Sequence, residues 1–312
     1  MQYIGEISAL AASACWVITA LVLASAGRVV GATVVNAVRI FIAICILCII
    51  HWIAYDNLWP EIDNFSLLYL AISGVIGLAI GDQFLYRALI DAGPRLTTLV
   101  ITSTPALTAI IAFAVLHETL SYVDVLAMLL TMSGIAIAIL TRGEKNATKK
   151  YPRVKIGILF AFLGALGQAI GLVFAKLGME ESNPDIVHTL YQSGVTPLSA
   201  TYIRMCFGGV GAIVLLLFYL LFKSSTREKN CRINFQVFFC ILAGTIFGPV
   251  LGVWLGLISI ENMDTGIAAT LMSLSPIMIL PFAKIIEKEQ ITTNAVVGAI
   301  VSIMGVALLL LN

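Results

Sequence analysis

The chain has 312 residues, of which 60% are hydrophobic and 11% are charged. Soluble domains are about half apolar and about a quarter charged, so most of this chain is expected to lie in lipid rather than in water. The formal net charge of +1 gives no support to nucleic-acid binding.

Ten apolar runs follow one another, each about 19 to 25 residues long and thus able to cross a hydrocarbon core of about 30 Å as a helix. Helices are expected because the bilayer offers no water to the backbone. The first residues, Met1 to Glu6, lack the basic character of a signal peptide, so the first run is expected to stay attached. Helices one to ten are predicted at Ile4–Ala24, Ala32–Ala54, Phe65–Leu89, Thr97–Leu116, Tyr122–Leu140, Ile156–Phe174, Ser199–Phe222, Phe235–Ile258, Thr265–Ile286 and Ile291–Leu311.

Two parts of the chain repeat each other at an offset of 171 residues, the difference between Pro105 and Pro276. Pro105 ends the stretch Thr102-Ser103-Thr104-Pro105, and Pro276 ends Ser273-Leu274-Ser275-Pro276. The molecule is therefore a tandem duplication in which an apolar helix carries Pro near its middle and Glu at its end. The same offset also superposes Gly77 on Gly248, Gly81 on Gly252, Glu118 on Glu289 and Gly134 on Gly305.

A basic, helix-breaking segment separates the two copies. We predict a first repeat at 1–141, a linker at 142–155 and a second repeat at 156–312. Because five helices is an odd number, the second copy enters the membrane from the opposite side. The repeats are thus inverted about an axis in the membrane plane, as in many secondary transporters.

Lysine and arginine are concentrated in or beside the loops after odd-numbered helices, which hold fifteen of the eighteen. By the positive-inside rule these loops are cytoplasmic. Met1 and Asn312 are then expected outside the cytoplasm, in a multi-pass protein of the cell (plasma or inner) membrane. The fifteen are Arg28, Arg87, Arg95, Arg142, Lys145, Lys149, Lys150, Arg153, Lys155, Lys223, Arg227, Lys229, Arg232, Lys284 and Lys288.

Glycines at helical spacing mark helices three and eight. Gly77 and Gly81 in one, and Gly248 and Gly252 in the other, strip side chains from one ridge and allow another helix to approach closely. The ridges serve either static packing or the sliding surfaces of a rocking transporter.

Asp82 follows Gly81 well inside helix three, and a carboxylate at membrane depth is a candidate functional group. Tyr86 is one turn further on. Asp82 could take up a proton or bind a substrate ammonium group. The alternatives are a fixed ion pair with Arg87 or Arg95, or a cap on a shorter helix.

Three further side chains are candidates to line a cavity. Trp16 in helix one and Gln168 in helix six occupy matching positions, and each is alternatively an ordinary interhelical contact. Trp254 in helix eight matches Gln83 in helix three, and lipid exposure is the alternative for this tryptophan.

Charged residues recur in both copies. Arg39 and Arg204 match in helices two and seven, where they either snorkel to the headgroups or form a structural or gating ion pair. Glu118 and Glu289 stand at helix C-termini, the unfavourable end for a carboxylate, which predicts a specific partner across the seam between the halves.

Enzymatic motifs are missing from the sequence. The segment His117-Glu118-Thr119-Leu120-Ser121 lacks the second histidine of a zinc protease, and neither a Gly-x-Gly-x-x-Gly nor a P-loop is present. No metal or cofactor is therefore expected. The cysteines, five of which lie in apolar runs, are interpreted as small hydrophobic residues.

Taken together, these residues resemble the EamA-type members of the drug/metabolite transporter superfamily over essentially the whole chain. The resemblance implies secondary carriers and exporters of metabolites, amino acids, nucleotide-type compounds or drugs, with the substrate in a central cavity between the halves. Helix eight departs from the family pattern because it ends Leu257-Ile258-Ser259-Ile260, without the family's Tyr. The matching features are the ten helices in two repeats, Arg39 and Arg204, Tyr86-x-Ala88-Leu89, Pro105 to Glu118, Pro276 to Glu289, Gly134 and Gly305.

The expected function is secondary transport, as an exporter or permease, of a small metabolite such as an amino acid, nucleoside-type compound or drug, by alternating access. Helices one, three, six and eight should line the cavity. The expected partners are the substrate, membrane lipid and a coupling proton or cation. The alternative is an integral-membrane enzyme or assembly scaffold, which would need clustered catalytic residues or a large extramembrane face.

Overall fold

The computed structural model describes residues 3–30, 32–140, 153–180, 195–222, 235–279 and 293–311. Within these ranges every regular element is a helix. Glu289, residues 141–152 and both chain ends lie outside the described residues, so the predictions made for them stay predictions. Residues 153–155 of the predicted linker are described, and the last two belong to the helix Val154–Glu180.

The first half contains five helical elements, α1 to α5. The elements α1 (Ile4–Val30), α2 (Ala32–Tyr55) and α5 (Tyr122–Leu140) are continuous. Element α3 is α-helical over Asn64–Ser73, π-helical over Gly74–Gly81 and α-helical again over Asp82–Asp91. Element α4 consists of two pieces, Gly93–Ile101 and Thr104–Val115.

The second half repeats this order as α6 to α10. The elements α6 (Val154–Glu180), α7 (Pro197–Phe222) and α10 (Thr293–Leu311) are continuous. Element α8 is α-helical over Phe235–Thr245, π-helical over Ile246–Gly252 and α-helical over Val253–Asn262. Element α9 is described as two pieces, Thr265–Met272 and Ser275–Met278.

Side-chain caps fix two of the helix starts. The carboxylate of Asp63 accepts hydrogen bonds from the backbone amides of Phe65 and Ser66, which satisfies free donors at the start of α3. Before α5, Ser121 and Asp124 cap each other's amides reciprocally, as in a capping box.

The prediction of an all-α membrane protein built from two repeats is confirmed. Among the described residues, nine helices are long and apolar enough to cross a membrane. The tenth predicted span is described only over its first part, the apolar Thr265–Met278. The main difference from the sequence prediction is that α4 and α9 are interrupted rather than continuous.

The two halves pack against each other in a symmetric, interleaved way. Element α1 packs against α8 and α9 of the second half, and its counterpart α6 packs against α3 and α4 of the first. Elements α2 and α7 contact each other, as do α5 and α10. An approximate two-fold axis therefore relates the halves, as expected for inverted repeats.

Small residues bring the helix axes together inside, whereas large apolar side chains face outward. At the contact between α5 and α10, a Cβ on Gly298 would lie 2.5 Å from the carbonyl oxygen of Gly134. The buried positions of α6 are largely alanine or glycine, such as the fully buried Ala165, and those of α1 are all small residues from glycine to valine, such as the fully buried Ala9. Membrane helices associate through such close backbone packing.

Candidate functional site

Helices α3 and α8 widen into π-helical turns at equivalent positions. These turns cover Gly74–Gly81 and Ile246–Gly252, and each ends at a glycine of the predicted ridge. Pro249 lies inside the second turn and supplies no amide donor. The first turn has Leu78 at the matching position, so a proline is not what causes both helices to widen. Wide turns of this kind are frequent at functional sites.

The glycine ridges lie in the seam between the halves. A Cβ on Gly77 would lie 3.3 Å from the Cα of Gly171, and one on Gly81 would lie 3.4 Å from the backbone nitrogen of Gln168. In the other half, a Cβ on Gly252 would lie 2.7 Å from Nε1 of Trp16. The ridges therefore contact the first helix of the opposite repeat, and larger side chains would force these helices apart.

Helices α4 and α9 are broken immediately before the paired prolines. Pro105 and Pro276 stand in the first turn of the second piece of each helix, where a missing amide donor costs little. The hydroxyls of Thr102 and Ser273 donate to the carbonyls of Leu99 and Thr270, beside each break. The prolines therefore begin a helix piece after a break, rather than lying within one helix as the sequence suggested.

The second break is held by α1. The hydroxyl of Ser275 donates to the carbonyl of Ser13, and the two hydroxyl oxygens lie 3.1 Å apart. Its counterpart Thr104 faces a different environment, because the Thr104 hydroxyl is buried without a hydrogen-bond partner among the described residues. The two breaks are therefore equivalent in backbone but not in side-chain bonding.

Asp82 directly follows the first wide turn and pairs with Arg39 on α2. Nη2 of Arg39 lies 3.3 Å from Oδ2 of Asp82 and donates to Oδ1 of Asn36 at 3.2 Å. Both side chains are largely buried, with 11% of Arg39 and 17% of Asp82 exposed. Arg39 therefore makes an ion pair instead of snorkelling. The alternative pairing of Asp82 with Arg87 is wrong, because Arg87 donates to Asp91 in the same helix.

Arg204 approaches the same carboxylate from α7. Its charge and that of Arg39 both act on Asp82. The side chain is 3% exposed, and a Cβ on Gly77 would lie 3.7 Å from its Nη2. The backbone of Arg204 lies directly against Gly74. The absence of side chains on this face of α3 thus makes room for a buried guanidinium.

The other predicted site residues lie at different distances from this charged cluster. Tyr86 lies beside Arg39 and Asp82. The backbone nitrogen of Gln168 on α6 lies against Gly81. Trp16 instead packs on the π-helical turn of α8. Trp254 is half-buried and packs on an apolar cluster of α2 and α7 that includes Leu47 and Met205, so it does not simply face lipid.

A second charged cluster joins the halves at the end of the molecule where α4 and α6 finish and α9 begins. Oε1 of Glu118 lies 2.7 Å from Nζ of Lys176. The Glu118 carboxylate also accepts hydrogen bonds from the backbone nitrogen and the hydroxyl of Thr265, both at 2.7 Å. Glu118 therefore has partners across the seam between the halves. Although it follows the C-terminus of α4, its carboxylate caps the N-terminus of α9, where a negative charge is favourable.

The chain conformation around this cluster brings the groups together. His117 has a positive φ of 57°, which ends α4 with a turn in the left-handed region. Lys176 also donates to the carbonyl of Met263, just before α9. Burial raises the pKa of Asp264 in the same loop; the Glu118 carboxylate adds to this rise, and the Lys176 ammonium opposes it.

Helices α2 and α7 are joined by a network of polar side chains at this same end. Nε2 of His51 lies 3.1 Å from Oγ of Ser199, and the Tyr55 hydroxyl donates to Oγ1 of Thr196 at 2.9 Å. The ring of Tyr202 packs on that of His51 at 5.6 Å. This network and the Glu118 cluster give the end of the molecule two cross-half attachments.

Sequence patterns missed Asn36, Lys176 and the pair formed by Ser13 and Ser275. Lys176 was the one basic residue near the end of an even-numbered helix, and this exception to the charge distribution was a usable signal. Asn36 lies one turn before Arg39, a spacing that allows a side-chain contact on a helix. The two serines are 262 positions apart, and no local pattern relates them.

A model of the EamA-like transporter family matches residues 3–140 and again residues 155–311. A comparison with curated protein sequences returns no match. A solved structure described as "Crystal structure of protein" has a TM-score of 0.75 with this chain at 17% sequence identity. The similarity covers 100% of this chain and 98% of that one, so the two share a fold over their full lengths.

Proposed function

Because the chain belongs to the EamA-like transporter family and is a multi-pass membrane transporter, we propose that it is a secondary carrier of a small metabolite working by alternating access. The substrate class covers amino acids, nucleoside-type compounds and drugs. The site that we assign to the substrate is the buried cluster of Arg39, Asp82 and Arg204 with the neighbouring Tyr86 and Gln168.

The observation that carries this proposal is the set of matched helix irregularities in the two halves. Helices α3 and α8 widen at equivalent turns, and α4 and α9 break at equivalent residues. Secondary transporters place their binding sites at discontinuous helices between inverted repeats. The wide turn of α3 ends directly before Asp82, so a backbone irregularity and a buried charge meet at one place.

In the proposed mechanism the two repeats rock about this cluster. The glycine ridge of α3 lets this helix slide on the backbone of α6, and the glycine ridge of α8 lets that helix slide past the Trp16 and Thr19 side chains of α1. The bonds of Glu118 to Lys176 and Thr265 act as a gate that must separate when this end opens. Trp254 belongs to the moving helix α8, and Trp16 on α1 packs against that helix at Gly252.

Asp82 is proposed to couple the cycle. It shares a buried site with two cations, so protonation of Asp82 or binding of a substrate would change which groups neutralise it. A bound proton or cation on Asp82 would release Arg39, and this exchange could alternate with substrate binding.

We also propose that the protein lies in the cell membrane with both termini outside the cytoplasm. The asymmetry of lysine and arginine supports this orientation, and it would place the Glu118 gate at the external end. Phosphatase and fluorescent-protein fusions at Asn312 test it, and a fusion that fluoresces in the cytoplasm contradicts it.

The carrier function is tested with purified protein in liposomes loaded with a small-molecule extract of cells. Mass spectrometry of the external medium identifies solutes that leave faster than from protein-free liposomes. We expect such solutes to appear chemically unchanged. New products in place of a loaded solute would instead support the alternative of a membrane enzyme.

A further inference from the structure

The Arg39, Asp82 and Arg204 cluster has two positive groups and one negative group. Arg39 and Arg204 are the cations that act on Asp82, and Asp82 is the anion acting on Arg204 among the described residues. Burying a charge without a partner is costly, so buried charges are normally paired. Two guanidinium groups therefore share one carboxylate, and one positive charge is left over.

Comparison of the repeats shows where this imbalance arises. Arg39 and Arg204 each lie seven residues after the first residue of their helix, Ala32 in α2 and Pro197 in α7. The residue that the 171-residue offset matches to Asp82 is Val253. The approximate two-fold symmetry thus duplicates the cation and not the anion. The second carboxylate that would complete a symmetric site is absent from the matching turn of α8.

The hydrogen bonding of the two arginines likewise shows a shortage of acceptors. Nε of Arg39 and Nε of Arg204 are buried, and neither has an acceptor among the described residues. The contact of Arg39 with Asp82 is a single one at 3.3 Å, longer than the roughly 2.7 to 2.9 Å of a strong charge-assisted bond. A guanidinium offers five donors, and the Nε–H group of each arginine is the one that is free to donate to a ligand.

Resting on the proposed carrier function, we propose that the transported solute carries an anionic group, a carboxylate or a phosphate ester, that binds between Arg39 and Arg204. Planar guanidinium groups bind both kinds of oxyanion in bidentate fashion. The anion would neutralise the excess charge and accept from the free donors, while Asp82 keeps one arginine in place.

The test measures thermal stability of the detergent-solubilised protein with sets of solutes that share one body and differ in charge. Phenylacetate, phenylacetamide and phenethylamine form one set, and phenyl phosphate and phenol form the other, all at constant ionic strength. A ligand that binds the native state raises its apparent melting temperature. We expect a rise with the anion of at least one set and none with the neutral or cationic members. The set that responds distinguishes a carboxylate from a phosphate.

The variant Arg204→Gln is expected to weaken anion binding at least tenfold. Without ligand it should be no less stable than the wild type, because it removes an incompletely paired buried charge; a purely structural role for Arg204 predicts a loss of stability instead. Arg87→Gln is the matched control, because Arg87 is half-exposed and bonds within its own helix, and it should bind anions like the wild type. If Arg204→Gln does not fold, Arg204→Lys keeps the charge without the planar fork and should still weaken binding.

Equal stabilisation by neutral or cationic members, stabilisation by none of the anions, or unchanged anion binding in the Arg204 variant would each overturn the proposal. The liposome assay separates this outcome from failure of the carrier function. If a neutral solute is transported and no anion binds, the carrier function stands and the anion site is refuted. If anions bind in an Arg204-dependent way and no solute is transported, the anion site stands and the carrier function is refuted.

Discussion

Removing the Glu118 carboxylate is expected to loosen the ends of α4, α6 and α9 together. The side chains of Glu118 and Lys176 are each 9% exposed, and breaking a buried ion pair from one side costs about 3 to 5 kcal/mol. Glu180 lies 3.8 Å from Lys176 and offers it a second anion, so we expect Glu118→Ala to lose about 3 kcal/mol of unfolding free energy, near the lower limit.

The complementary variant should behave differently. Lys176→Met leaves Glu118 with both hydrogen bonds from Thr265, so its loss should be smaller. The double variant leaves neither charge alone, and we expect its loss to be less than the two single losses combined by at least about 1 kcal/mol, as for residues in contact.

Equilibrium unfolding in mixed micelles, followed by circular dichroism, measures these differences. The control is Arg87→Gln, which breaks a pair four residues apart in one helix with Arg87 half-exposed and should cost about 0.5 kcal/mol or less. If Glu118→Ala costs no more than this control, or if the two losses are additive, the cluster does not join the halves as described.

Three further predictions concern the ridges, Asp82 and Asp264. Gly81→Leu and Gly252→Leu should reduce transport far more than Val125→Leu at an exposed apolar position, because a side chain at either glycine meets the opposite half; normal flux at normal expression in the glycine variants contradicts the sliding role. Asp82→Asn keeps the side-chain shape and should abolish or uncouple transport in liposomes, whereas wild-type flux with unchanged pH dependence would make Asp82 structural. The pKa of Asp264 is raised in the fold, so the folded protein holds the proton of this carboxyl group more tightly than the unfolded chain does. The resulting stability is lost as the pH rises through the raised pKa. Melting temperatures measured against pH should show this loss in the wild type and not in Asp264→Asn, and identical curves for the two proteins contradict the prediction.

Apolar run length was sufficient to predict most of the helices. The helix Tyr122–Leu140 agrees with the prediction at both ends, because its apolar run is long enough to span the bilayer and the polar residues on either side mark where it begins and ends. The interruptions in α4 and α9 were not predicted, since a proline is compatible both with a kinked helix and with the start of a new piece. The π-helical turns depend on a single extra residue per turn, which glycine content alone does not reveal.

The candidate site shows a similar division. The recurrence of arginine in α2 and α7 and the depth of Asp82 marked the charged residues from the sequence, since both features are local or periodic. The pairing of Arg39 with Asp82 was not predictable, because the two residues are 43 positions apart. Arg87 and Arg95 are nearer to Asp82 in the sequence and were equally plausible partners. Glu118 was likewise expected to have a partner, but only the packing of α4 on α6 and α9 identifies Lys176 and Thr265.

The most direct test of alternating access is to lock the Glu118 gate and measure flux. In a background without reactive cysteines, Glu118→Cys and Lys176→Cys place thiols on the two sides of the contact, and a reducible bifunctional thiol reagent can join them. If the gate must open during transport, solute flux from liposomes stops when the pair is cross-linked, returns on reduction, and is unaffected by the reagent in either single variant. Full flux through the cross-linked protein would contradict it.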